Sequence, residues 1–363
     1  MEDRTEIARK NFMPAERARH IAEELDKGNY AFVFSINFFP QVSDVCNIYK
    51  IPYMSLVVDS PLMELYSESI RNEYNRLFLF DRALYREFAP YNPNRIFHIP
   101  LATNVASWDK VIKSAPTDAF RSEISFVGSL YTEKCPYDNI HFTDEYCKGF
   151  LEGLIEAQLK VYGYFFIEDL ITDDIVERVK KDYPNFHRFM PGDRADDRAA
   201  LAQLYLGNKI TCVERLRLFA QISEHFNVDI YTGSDTSSMP HIHNRGLCRT
   251  LTEMPIVFNH SKINLNISSK AIREGLPLRM FDIMGCGGFM ISNYQSEITD
   301  YFNIGEHLVV YESFEDLEDK LNYYLEHDSE RMEIARNGYE EVKANHNYNV
   351  RVGQMITMAF GDR

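Results

Sequence analysis

Between Ile272 and Gly288 the chain reads IREGLPLRMFDIMGCGG. Two carboxylates, Glu274 and Asp282, bracket the guanidinium of Arg279, and a glycine cluster (Gly285, Gly287, Gly288) follows directly. A diphosphate calls for a guanidinium with paired donors and for free backbone N–H groups at a helix start. A carboxylate accepts hydrogen bonds from the hydroxyls of a polyol. Acid, cation and acid in this order therefore suit a ligand that is anionic in the middle and hydroxyl-rich at both ends. The same residues also suit a surface ion pair worth well under ~1 kcal/mol, followed by a C-cap and a turn. Spacing alone leaves both readings open.

The flanking sequence predicts what positions these groups. KINLNIS alternates Ile263, Leu265 and Ile267 and reads as a strand. Pro277 opens a helix that the glycines close, and a further strand, GFMISN, follows. Ligands of such open sheets bind beyond the carboxyl ends of the strands. Arg279 and Asp282 are three residues apart and so share a helix face, with Glu274 in the loop above it.

Further out, the first hundred residues alternate strand-like runs (AFVFSIN, IPYMSLVVDSP, RLFLFD, RIFHIPLATN) with short helical patterns. ISFVGS opens a second series, which resumes with VDIYTGSD, PIVFNHS and KINLNISS and continues through HLVVYES. Strands separated by helices predict parallel sheets. The expectation is α/β, with two Rossmann-like domains facing a cleft. An N-terminal domain spans 1–105 and a second 120–348, the latter carrying a helical insertion over about 131–226. A terminal helix occupies 349–363. Residues 1–29 read as polar and helical, which predicts a shortened N-terminal sheet.

The 363 residues carry 54 acidic against 39 basic side chains, a net charge of −15. That excludes a duplex nucleic-acid binder, which must neutralise phosphates with clustered cations. Six cysteines lie scattered with no C-x-x-C pair, as buried free thiols would. The longest apolar run, YAFVFSINFF, is far short of the roughly 20 residues a membrane helix needs. The charged N-terminus is not a signal peptide, so a cytoplasmic protein with no membrane span is expected.

The stretch from Ile263 onward resembles the group 1 glycosyltransferases of the retaining GT-B class, in particular the bacterial branch of spore-maturation-type proteins. That family carries two acids separated by seven positions, then a methionine, a small residue, a cysteine and a glycine. Here these are Glu274, Asp282, Met284, Gly285, Cys286 and Gly287. The resemblance implies a nucleotide-diphospho-sugar donor, with no metal and no separate cofactor. Glu274 would face the donor sugar, Asp282 the ribose and Arg279 the diphosphate. The second acid is normally Glu; Asp is one methylene shorter, so the ribose must sit closer or be held through water. The upstream segment Asn244–Ser268, with Lys262 and Asn266, is similar to that branch. FVGSLYTEK looks like the first strand and turn of the donor domain, which brings Gly128 and Ser129 to the phosphates. FSINFFP, VVDSP and FDRALY resemble the acceptor-side domain, whose acceptor is a carbohydrate, a lipid-linked molecule or a protein, and the resemblance implies that the terminal helix 349–363 crosses back to that domain.

Asp59, before Ser60-Pro61, is a candidate to orient an acceptor hydroxyl, or simply a turn-former. His241 and His243 alternate but have no third metal ligand at a suitable spacing, and Trp108 reads as an anchor of the domain join. A nucleotide-sugar epimerase and a non-catalytic sugar-nucleotide or partner binder remain as alternatives. A dinucleotide dehydrogenase is excluded, because no G-x-G-x-x-G follows the first strand.

Overall fold

The computed structural model describes residues 14–361. Part of the predicted N-terminal helical region, residues 1–13, lies outside the described residues. The chain divides into two compact units. The first comprises residues up to Ile99, the segment Arg188–Asp196 and residues from Met355; the second comprises Pro100–His187 and Asp197–Gln354. The first long division falls between Ile99 and Pro100, a few residues before the end of the expected 1–105 domain. The helix Val105–Ser114 belongs wholly to the second unit.

In the first unit a helix, Pro14–Leu25, precedes four parallel strands, β1 (Val33–Ile36), β2 (Tyr53–Val57), β3 (Asn75–Leu79) and β4 (Ile96–His98), in the order β1-β2-β3-β4. β2 is buried throughout and β3 nearly so, as continuous apolar runs require when both faces are covered. Asp81 ends the β3 run and caps the helix Arg82–Phe88 by accepting from the Ala83 N–H at 2.9 Å. The segment Arg188–Asp196 belongs to this unit through Arg194. Its guanidinium lies 4.1 Å from the Tyr91 ring centre and 4.8 Å from that of Tyr66. Part of the predicted insertion thus packs with the first sheet, because the Tyr66 and Tyr91 rings offer a cation–π seat.

The second unit holds six parallel strands: β5 (Ser122–Val127), β6 (Val228–Tyr231), β7 (His243–Asn244), β8 (Ser261–Asn266), β9 (Met290–Asn293) and β10 (Val309–Tyr311). Their order is β10-β9-β8-β5-β6-β7. Between β5 and β6 run the helices Glu145–Gln158, Asp173–Asp182 and Asn208–Ile222, the last entered through a π-helical stretch, Leu201–Gly207. The helical insertion is present as its charged, helix-spaced sequence predicts. Ile124, Phe126, Ile230, Ile263, Leu265 and Ile291 form the core with Phe219 and Leu317 from the covering helices. One strand expectation fails: PIVFNHS is the helix Met254–His260. Pro255 sits in its first turn and its apolar residues are buried on every side, a case in which periodicity does not separate helix from strand.

The connections after β5 run toward β6, and those after β8 run toward β9 on the other side. The sheet therefore reverses its winding between β5 and β8. Its carboxyl edge there is the crevice where such sheets bind ligands.

The helices Phe314–Glu326, Asp328–Asn345 and Tyr348–Phe360 close the chain. His346 is buried between them, beside the rings of Phe281, Tyr301 and Phe302. Arg351 donates to its Nδ1 at 3.0 Å, so the ring proton sits on Nε2, 3.8 Å from Glu341. Burial, with the Arg351 and His307 charges, lowers its pKa from 6.5 to about 4. The unfolded chain therefore binds the proton first as pH falls. Stability from His346 is complete above pH 6.5 and is lost as pH falls through about 4. The loss approaches about 3 kcal/mol. Urea midpoints measured across that window should show this slope in the parent and lack it in His346→Gln. An unchanged slope would contradict the assignment.

Among the described residues no helix is long and apolar enough to cross a membrane.

Candidate functional site

The loop after β8 and the helix Leu278–Gly285 form one lip of the switch-point crevice. Pro277 is the N-cap and offers no side-chain oxygen to the first N–H groups of the helix. The helix stops where its sequence says it must. Gly287 takes φ +73°, and a Cβ on Gly288 would stand 2.6 Å from the Phe258 carbonyl oxygen.

Asp282 faces inward from this helix and is 6% exposed. Its Oδ1 accepts from the Thr103 hydroxyl at 2.6 Å, and Thr103 Oγ1 in turn accepts from Trp108 Nε1 at 2.7 Å. An indole N–H only donates, so the chain of bonds has one polarity and the hydroxyl must give its proton to Asp282. Trp108 thus anchors a hydrogen-bond relay inside the second unit. A Cβ on Gly285 would come within 2.5 Å of Thr103 Cγ2, which explains a glycine one turn from the acid. Arg279 approaches the other oxygen, Oδ2, at 3.9 Å and lies against the Met254 sulfur and the Phe258 ring. Burial raises the Asp282 carboxyl and outweighs the Arg279 charge and the Thr103 bond; burial likewise lowers the Arg279 pKa. The arginine keeps about a third of its side chain exposed. Glu274 lies in the loop, half-buried, with its carbonyl accepting from the Glu297 N–H at 3.3 Å.

Across the crevice Arg215, from the helix Asn208–Ile222, donates to the carbonyls of Ser129 and Ile267, the residues that follow β5 and β8. Its guanidinium packs over the Phe126 and Tyr131 rings. One arginine thus ties the ends of the two strands at the reversal. Beside it the fully buried Glu214 pairs with Lys270 at 3.0 Å, and the lysine Nζ stands 4.0 Å above the Tyr162 ring. Thr211 Oγ1 accepts from the Lys270 N–H at 2.9 Å and fixes the start of the loop.

Arg279 and Asp282 are brought together, with Glu274 in the same connection. The other expected groups are either engaged differently or fall elsewhere. Gly128 and Ser129 reach the crevice, but the Ser129 hydroxyl donates to Glu133 at 2.6 Å, and Ser234 donates to the same carboxyl at 2.8 Å. Burial opposes ionisation of Glu133, yet these hydroxyls, Thr132 and a backbone N–H prevail and hold its pKa at about 2. A fixed negative charge beside Ser129 disfavours a phosphate there and leaves the helix lip for it. Asn266 is 3% exposed and donates to the Ser268 and Ser292 hydroxyls, bracing β8 against β9. Lys262 stands near the start of β8, 3.8 Å from Glu123. Four residues from Asn266, it is displaced by about 13 Å toward the opposite edge of the sheet, so it does not reach the crevice. Asp59 lies after β2 in the first unit and accepts from Asn37 Nδ2 at 2.6 Å. Asn37 itself takes φ +62° at the end of β1. His243 pairs with Asp229 at 3.6 Å, and no group of three or more metal-binding side chains occurs among the described residues.

Thr103, Glu214, Arg215, Lys270 and Glu133 were not anticipated. A signal for two of them exists: Thr211, Glu214, Arg215, Leu218 and Ile222 recur at helical spacing, which puts two charges on a buried stripe.

Residues 215–357 match the family described as glycosyl transferase-like. No curated protein matches the chain in sequence. Among solved structures it is similar to the UDP-forming α,α-trehalose-phosphate synthase from Burkholderia xenovorans, with 12% identity, TM-score 0.52 and 99% of this chain over 80% of that one. It is also similar to the sucrose-phosphate synthase from Thermosynechococcus elongatus, with 11% identity, TM-score 0.51 and 94% over 77%. A third likeness is to Anabaena Alr3699/HepE in complex with UDP and glucose, with 9% identity, TM-score 0.51 and 94% over 80%. At these identities the likeness concerns the fold, the GT-B class of two parallel-sheet α/β domains.

Proposed function

We propose that the chain is a glycosyltransferase that moves a sugar from a nucleotide-diphospho-sugar to a hydroxyl acceptor, with retention at the anomeric carbon. One observation carries the reading. The glycosyl transferase-like match covers the loop and helix bearing Glu274, Arg279 and Asp282, and these border the point where the sheet reverses its winding. The fold neighbours include a UDP-forming synthase and a complex with UDP and glucose, which favours a UDP-sugar as donor.

In this reading the diphosphate sits at the uncapped start of the helix Leu278–Gly285, with the Arg279 guanidinium beside it. Asp282, oriented by Thr103, accepts from the ribose hydroxyls, and Glu274 contacts the transferred sugar. The bond from the anomeric carbon to the diphosphate oxygen breaks as the acceptor oxygen bonds to the same carbon. The acceptor proton passes to the departing phosphate oxygen. Fixed N–H dipoles and a guanidinium stabilise the charge that develops there. Asp59, braced by Asn37, orients the acceptor hydroxyl.

Thermal-shift measurements against UDP-, GDP- and CDP-sugars test the reading. A UDP-sugar at about a hundred times its dissociation constant should add roughly 2.7 kcal/mol of stability, and UDP should be released only when an acceptor is supplied. Stabilisation with an epimerised sugar and no acceptor would replace transfer by epimerisation. Stabilisation without any turnover would leave a binder, and no response to any sugar nucleotide would overturn the reading.

A further inference from the structure

The edge of the second sheet opposite the crevice bears a separate arrangement of charge. A cavity of about 580 Å³ there is lined by Arg121, Lys262, Arg245, His243 and His260, with Glu123 and Asp229 as its acids. It gathers at the starts of β5, β6, β7 and β8. β5 alone, with six residues, sets it about 16 Å from the carboxyl ends.

Both acids are already engaged. Asp229, 8% exposed, accepts from Arg245 Nε at 2.6 Å and lies 3.6 Å from His243. Glu123 accepts from Asn227 Nδ2 at 2.8 Å and faces Lys262 at 3.8 Å. Arg121 uses only its Nε, on the Thr117 carbonyl at 2.9 Å, and has no carboxylate partner among the described residues. His260 is held through Nδ1 at 2.7 Å from the Ala119 carbonyl, and its second ring nitrogen has no hydrogen-bond partner among the described residues. Three permanent cations thus surround two carboxylates, on a chain whose net charge is −15. A concave excess of positive charge on an acidic surface concentrates small anions locally.

We propose that this cavity binds a phosphomonoester. A compact dianion takes the free guanidinium fork of Arg121 and the ammonium of Lys262. The Thr117 hydroxyl and the Asn227 amide, which also line the cavity, suit a hydroxyl-bearing body attached to the phosphate. The cavity is too small and too mixed in charge to track a nucleic-acid backbone. The site is independent of the sugar-transfer reading, since none of its residues borders the crevice.

Isothermal titration with inorganic phosphate and with glycerol phosphate, at fixed ionic strength, tests it. The parent protein should bind both, and glycerol should not bind. The double variant Arg121→Ala, Lys262→Ala should weaken binding by at least about tenfold, since two charge-assisted bonds are removed. Both side chains are exposed or half-exposed, so the fold tolerates their loss, and circular dichroism verifies it. Arg279→Ala should bind phosphate as the parent does. The proposal fails if the double variant stays within about twofold of the parent, if glycerol binds equally well, or if the parent gives no heat. It also fails if Arg279→Ala abolishes binding, because the anion would then be reporting the crevice.

Discussion

Glu214→Ala should lower the unfolding free energy by about 3–5 kcal/mol, the usual result of leaving one member of a buried ion pair alone. Glu214 is fully buried and Lys270 only 7% exposed, so the lysine cannot recover its lost partner from water. The ammonium would lie against the Tyr162 ring, with the Tyr311 hydroxyl also buried nearby. Replacing both members, Glu214→Leu with Lys270→Met, should restore most of the loss, since an apolar pair of similar volume carries no desolvation cost. Urea denaturation of the parent, both single variants and the double closes the cycle. A Glu214→Ala variant within about 1 kcal/mol of the parent would show that the pair is not closed as described. The loop start would move with the lysine, because Thr211 holds the Lys270 N–H on the same helix.

Asp282→Ala should reduce kcat/KM for transfer by about two to four orders of magnitude. A carboxylate bonded to two ribose hydroxyls contributes about 1.5–3 kcal/mol per bond, and each 1.36 kcal/mol is tenfold in rate. Thr103 works through Asp282 and is a positioning residue. Thr103→Val removes the hydroxyl that fixes Oδ1 and should raise KM several-fold, whereas Thr103→Ser keeps it and should behave as the parent. Steady-state kinetics on the three variants separates these roles. If Asp282→Ala keeps parental donor affinity and rate, the carboxylate serves only the relay with Thr103 and Trp108.

The helix Leu278–Gly285 was legible almost residue by residue. Proline before it, glycines after it and alternation in KINLNIS are local signals with local causes. Two parallel sheets and a helical insertion were legible for the same reason. What the sequence hid is nonlocal. The partner of Asp282 is 179 residues away, and Arg215 reaches Ser129 across 86 positions. No pattern along the chain specifies such pairs; only the winding of the sheet brings them together. The run PIVFNHS misled because a short segment buried all round carries no period. Lys262 illustrates the opposite case. It is the second residue of a strand whose carboxyl end is Asn266, so the strand's own direction placed it toward the far edge. Resemblance drew it toward the donor, and geometry returns it to the other cavity.

The most direct test of the central claim is a crystal structure of the protein grown with a UDP-sugar. Diphosphate density is expected at the start of the helix Leu278–Gly285, within hydrogen-bond reach of the Leu278 or Arg279 N–H, with a ribose against Asp282. Diphosphate bound instead beside Ser129 and Glu133, or at any site away from the β5–β8 reversal, would contradict it.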